Sequence, residues 1–154
     1  NILNLVKAVK SHPLDIYGNA TPSHLKYEQQ ILATKCENVT MKGFVNSTRL
    51  ADIYNNYAVH IMPSWLETPG LSQLEAAACG CNIVSTNRGS TAEYFLDKAM
   101  YCEPGSVESI QAAVELCFEN LRKPEEMSEF ILDQYTWDKT AIQTLMAYER
   151  VLRN

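Results

Sequence analysis

No run of apolar residues in this 154-residue sequence is long enough to cross a bilayer. The longest stretches, such as Val59 to Met62 and Ala76 to Cys79, fall far short of the roughly 20 residues a span needs. Basic residues are in deficit, 13 against 18 acidic ones, and the net charge of −5 with a pI near 5.2 argues against a nucleic-acid-binding domain, which carries a basic excess on one face. The five cysteines form no CxxC pair and are odd in number, which leaves a disulfide framework or a zinc site without support. They read as small hydrophobes, mostly buried, in a reducing cytosol, and the spacing of Cys79-Gly80-Cys81 does not suit a thioredoxin-type motif. A starting Met and a signal-like leader are also absent, and the opening at Asn1 leads to the expectation of a piece of a longer protein. What is present is ordinary globular composition, 46% hydrophobic and 20% charged, which excludes a disordered or collagen-like chain. The length suits one domain, residues 1–154, with a core of its own.

Short runs rich in β-formers alternate with segments of helical period, the pattern of βαβ units around a parallel sheet. The expected strands are Leu14 to Gly18, Val39 to Val45, Tyr57 to Met62, Asn82 to Thr86 and Met100 to Glu103, enough for a small doubly wound sheet. Residues 2–10 place Ile2, Leu5, Val6 and Val9 on one stripe, and residues 47–57 do the same with Leu50, Ile53, Tyr54 and Tyr57. Thr21-Pro22 and Thr68-Pro69 each resemble a helix start, with Thr as cap and Pro at the first helical position. Ser90 and Glu93 have the spacing of a capping box. Further helices are expected over 107–121, with Val107, Ile110, Val114, Cys117 and Leu121 inward, and over 137–152 behind a Thr136 cap, with Ala141, Leu145, Tyr148 and Leu152 at helical spacing.

In an open parallel sheet, ligands settle beyond the carboxyl ends of the strands. The strand ending at Met62 leads through Pro63-Ser64-Trp65-Leu66-Glu67-Thr68-Pro69-Gly70-Leu71 into a helix whose Ala76, Ala77, Ala78, Cys79 and Gly80 are all small. Glu67 and Glu75 are separated by about 10 Å along such a helix at ~1.5 Å per residue, with the amide-rich N-terminus between them. That terminus favours phosphate, and carboxylates accept well from paired sugar hydroxyls. A diphosphate with a hydroxylated sugar at each end fits this layout. Spacing alone leaves a second reading open, in which the acidic residues merely complement the helix dipole and Glu75 sits in solvent.

The stretch Pro63-Ser64-x-x-Glu67-x-Pro69-Gly70-Leu71-x-x-x-Glu75-Ala76-x-Ala78-x-Gly80 resembles the E-x7-E segment of retaining GT-B glycosyltransferases, the group 1 or family 4 class. Val39 to Val45 is similar to that family's V-x-F-x-G-x-V strand and Leu50 to Tyr57 to its L-x-x-x-Y helix. Ile83-Val84-Ser85-Thr86 with Gly89 and Glu93, and Tyr135-Thr136-Trp137-Asp138, resemble further family segments in the expected order. The resemblance implies the Rossmann-like C-terminal, donor-binding half of a two-domain enzyme that moves a sugar with retention from a UDP- or GDP-linked donor to an acceptor such as a glycan or lipid. It implies that Glu75 holds the ribose, that Glu67 holds the transferred sugar as the catalytic carboxylate, and that Thr68, Pro69, Gly70 and Leu71, with Ser64, face the diphosphate and sugar. Val45 and Leu50 would flank the base. No metal or resident cofactor is expected, the diphosphate being stabilised by protein cations and helix dipoles. The full-length enzyme would be cytoplasmic, with peripheral attachment to the inner membrane face as a further expectation.

Pro69 stands where the family carries Phe, and the family's first strand and its diphosphate-binding Arg and Lys precede the position matched by Asn1. Lys7 and Lys10 lie inside the first helix and read as solvated, so the 154 residues alone are expected to transfer no sugar. Trp65 reads equally as a sugar platform or a ring folded over the sheet edge, His60 as a packing histidine, Arg88 as a surface residue, and Glu93 as part of its capping box, while Arg49 is ambiguous. Two alternatives stand beside this reading: an epimerase acting on a nucleotide sugar, which the E-x7-E spacing disfavours, and a receiver-like signalling domain. The latter needs acidic residues where this chain has Gly18-Asn19-Ala20 and Pro63-Ser64.

Overall fold

The computed structural model describes residues 1–153. Helices and parallel strands alternate: α1 (Ile2–Ala8), β1 (Leu14–Tyr17), α2 (Leu25–Thr34), β2 (Val39–Gly43), α3 (Leu50–Tyr54), β3 (Val59–Met62), α4 (Leu71–Ala78), β4 (Asn82–Thr86), α5 (Thr91–Phe95), β5 (Ala99–Cys102), α6 (Val107–Glu119), α7 (Pro124–Leu132) and α8 (Trp137–Leu152). The α/β class and the five strands match the expectation: β4 has the expected bounds, β5 starts and ends one residue earlier, and β1, β2 and β3 are one or two residues shorter. The single sheet does not. β1 pairs with β2, and β3, β4 and β5 form a separate sheet in that order, all parallel. No backbone ladder joins β1 to β3, and Leu14, Ile16, Val59 and Ile61 line a cleft of about 390 Å3 between them.

β4 is the centre of the larger sheet and is buried along its whole length. One of its faces packs Val84 against Leu5, Val9, Ile110 and Val114 of α1 and α6, and the other packs Ile83 against Ala76, Ala77, Phe95 and Met127. The small side chains of α4 let it lie close on β3 and β4. The predicted stripe of α1 is the buried one, with Leu5, Val6 and Val9 inside. On α6 the inward residues are Ile110, Val114 and Cys117, but the helix stops at Glu119, leaving Leu121 exposed.

Helix starts divide into two kinds. Thr136 caps α8 by accepting from the Lys139 amide, as its sequence suggests, and Ser106 does the same for α6 through the Ser109 amide. Ser90 makes no side-chain cap bond, so the expected capping box with Glu93 does not form. Pro22 opens only a short 3-10 turn over Pro22–His24 before α2, and Thr68-Pro69, joined by a cis peptide, precedes α4 instead of starting it. The helix α7 is not among the expected ones, although Pro124 at its first position, Glu125 and Glu126 in its first turn, and the buried pair Met127 and Ile131 one turn apart are all helix signals.

Candidate functional site

The candidate site lies at the carboxyl end of the three-stranded sheet. After β3, residues 63–70 cross the strand ends and are clamped to the loop after β4: the Glu67 amide donates to the Arg88 carbonyl at 3.3 Å, and the Ser90 amide donates to the Glu67 carbonyl at 3.0 Å. This two-bond bridge requires Gly89. Its φ is +94°, and a Cβ there would overlap the Glu67 carbonyl oxygen. The backbone of Glu67 is therefore located by a glycine twenty-two positions later in the chain.

Gly70, at φ +72° and ψ 56°, turns the chain into α4. The helix thus begins at Leu71, and Glu75 stands just over one turn inside it on the exposed side, while Glu67 is half-buried before it. Among the described residues, the amides of Thr68, Gly70, Leu71 and Ser72 have no hydrogen-bond acceptor. A row of free donors at the positive end of a helix, with a carboxylate before it and another beyond it, can hold an anion between two hydroxylated groups.

The remaining expected residues are placed as follows. Ser64 and Leu50 line the cleft between the two sheets, whereas Glu67, Glu75, Thr68 to Leu71 and Val45 stand outside its walls. Val45 lies beyond the end of β2 and is partly exposed. Asn1 reaches the same end of the sheet, its amide group donating to the carbonyls of Pro63 at 2.9 Å and Pro104 at 2.7 Å. Lys7 and Lys10 are exposed, as expected. Arg88 is tied to Glu103 at 2.5 Å and stands 5.7 Å from the centre of the Trp65 ring, which is 53% exposed. Among the described residues no three His, Cys, Asp or Glu side chains cluster as metal ligands would.

His60 is half-buried, with its Nε2 shielded from solvent, and stacks on Tyr54 with ring centres 5.7 Å apart; burial pushes its pKa down to about 4, so it is a neutral packing group. Burial likewise pushes the thiols of Cys81, Cys102 and Cys117 up to about 11, leaving them unreactive, and all five cysteines are free. Cys36 is the exposed exception to the expected burial. A hydrogen-bonded group not foreseen from sequence joins β1 to the start of β3: Tyr57 donates to Asp15 at 2.5 Å and lies 2.8 Å from the Tyr17 hydroxyl, and Lys42 pairs with Asp15 at 3.3 Å.

Residues 1–132 match the family model described as "Glycosyl transferases group 1". The chain is 26% identical over 161 residues to the O-antigen chain mannosyltransferase B of Escherichia coli, covering 97% of this chain and 42% of that protein. Its fold is similar to sucrose-phosphate synthase from Thermosynechococcus elongatus, with TM-score 0.85, 20% identity, and 99% of this chain against 42% of that one. It is also similar to Anabaena HepE in complex with UDP and glucose, with TM-score 0.71, 18% identity, and 97% against 44%. The chain therefore spans about two fifths of the length of these proteins.

Proposed function

Because the chain belongs to the group 1 glycosyl transferases, we propose that it forms the half of such an enzyme that binds the nucleotide-sugar donor. The observation that carries this reading is the row of free amides at Thr68, Gly70, Leu71 and Ser72, between Glu67 on one side and Glu75 on the other. In this reading the amides and the dipole of α4 receive the diphosphate, Glu75 accepts from the ribose hydroxyls, and Glu67 accepts from the transferred sugar. Ser64 lies alongside the sugar, and Leu50 and Val45 flank the base. The solved Anabaena protein that holds UDP and glucose supports a nucleoside-diphosphate sugar as donor, with UDP and GDP as the two nucleotides to test.

As the sugar–phosphate bond breaks, negative charge grows on the leaving diphosphate. Donors already aimed at it, with no reorganisation needed, lower that barrier most effectively. The acceptor, a glycan or lipid, would meet the sugar from the side facing the rest of the full-length enzyme. No helix of the described chain is long and apolar enough to cross a membrane, and a cytoplasmic enzyme working at the inner membrane face suits a lipid acceptor.

Calorimetric titration of the full-length enzyme with UDP and GDP tests the reading. One nucleotide should bind, and Glu75→Ala should weaken it by roughly tenfold or more, since a charge-assisted bond contributes about 1.5–3 kcal/mol. Absence of binding by either nucleotide at millimolar concentration would sink the proposal.

A further inference from the structure

Among the described residues, five buried side-chain polar atoms lack a hydrogen-bond partner, and four of them lie between α4 and the sheet beneath it: Gln73 Oε1, Gln73 Nε2, Ser85 Oγ and His60 Nε2. Gln73 is the extreme case, fully buried with both ends of its carboxamide unpaired. A buried amide left without partners forfeits its hydration with nothing in exchange, and an apolar residue of similar shape there avoids that cost. Gln73 follows the αL turn at Gly70 by three residues and folds back over it. Its Nε2 lies 3.5 Å from the point where a Cβ on Gly70 would stand, and Glu67 Oε2 lies 3.4 Å from the same point. Carboxamide and carboxylate thus both border the space that the missing side chain of Gly70 leaves open, with no hydrogen bond between them.

We propose that Gln73 is a positioning residue for Glu67: when the donor sugar engages the carboxylate, the Gln73 Nε2 group donates to Glu67 across Gly70 and holds it in the orientation that receives the sugar hydroxyls. The inference rests on the reading of Glu67 as a sugar ligand. Because Gln73 is buried below the loop, it acts through Glu67 and does not itself touch the donor. In the unliganded protein the carboxamide is a stability defect maintained at the site, which separates this role from a purely structural one.

The test uses Gln73→Met and Gln73→Leu, followed by Gln73→Glu. Thermal melts should show the two apolar variants gaining roughly 3 °C or more, the shift that relief of an unpaired buried amide produces in a domain of this size. In the full-length enzyme, release of nucleoside diphosphate is followed with UDP-glucose, UDP-N-acetylglucosamine and GDP-mannose as donors. The apolar variants should lose about tenfold in kcat, the loss of one charge-assisted bond, with inhibition by the free nucleoside diphosphate changed less than about twofold. Gln73→Glu should recover turnover only towards acid pH, where its protonated carboxyl can donate as the amide does. A fall in melting temperature in both apolar variants, or an unchanged kcat, overturns the inference while leaving the donor-binding reading intact. Turnover of none of the three donors by the wild-type enzyme, together with no nucleotide binding, removes that reading and this inference with it.

Discussion

Glu67 takes its place from Gly89, and the dependence is steric before it is chemical. At φ +94° any side chain is strained, and a Cβ would run into the Glu67 carbonyl oxygen. Gly89→Ala should therefore destabilise the protein by about 2–4 kcal/mol, within the range of backbone and overlap defects, and displace Glu67. Denaturant unfolding should show the loss, and a cost below ~0.5 kcal/mol would contradict the clamp. The sequence displayed Glu67, Gly70 and Glu75 plainly, since a helix with a glycine at its start and an acid on either side is a local pattern. Gln73 was invisible in it, because a glutamine on a helix is ordinarily solvated. Only the packing of α4 on β3 and β4 turns it inward.

At the scale of single elements, β3 contains a titratable group in a place that does not tolerate charge. Burial holds the His60 pKa near 4, against 6.5 in an unfolded chain. The stability linked to this group is fully present above pH 6.5. It falls as the unfolded chain takes up its proton, reaching a loss of about 3 kcal/mol near pH 4. His60→Phe keeps the stack on Tyr54 without a titrating nitrogen, so its melting temperature should fall less between pH 6.5 and 4 than that of the wild type. Parallel curves would refute the assignment. Strands were easier to find than helix starts. Five β-rich runs all became strands, although only β4 is buried along its whole length. Capping residues succeeded only where the capping residue itself was extended, as at Thr136 and Ser106. Ser90, near φ −95° and ψ 5°, accepts from none of the amides it was expected to cap.

For the whole molecule, the division into two sheets sets the order of local stability. β4 has a strand partner on each side and helices on both faces, while β1 and β2 pair only with each other, over a small cluster of Val6, Ile16, Ile31 and Val39. Hydrogen exchange should therefore find the amides of β4 protected to the global unfolding limit, and those of β1 and β2 released by a smaller opening. Equal protection across both sheets would show that the cleft does not divide the unit. The outermost helix, α8, buries none of its residues, and Leu145, Tyr148 and Leu152 on its expected stripe are 58%, 65% and 85% exposed.

The sequence by itself determined the α/β class, the order of the five strands and of every helix but α7, and the family, because period and turn residues are local and the matching segments follow one another along the chain. The tertiary structure alone decided which strands share a sheet, that Glu67 is clamped by a loop from another strand, and that a buried carboxamide faces it across Gly70. These are contacts between residues distant in sequence or turned inward by packing, and no periodicity encodes them. The deficit of basic residues and the missing long apolar runs excluded whole classes of protein, and the geometry around α4 supplies the candidate site on which the donor-binding proposal rests.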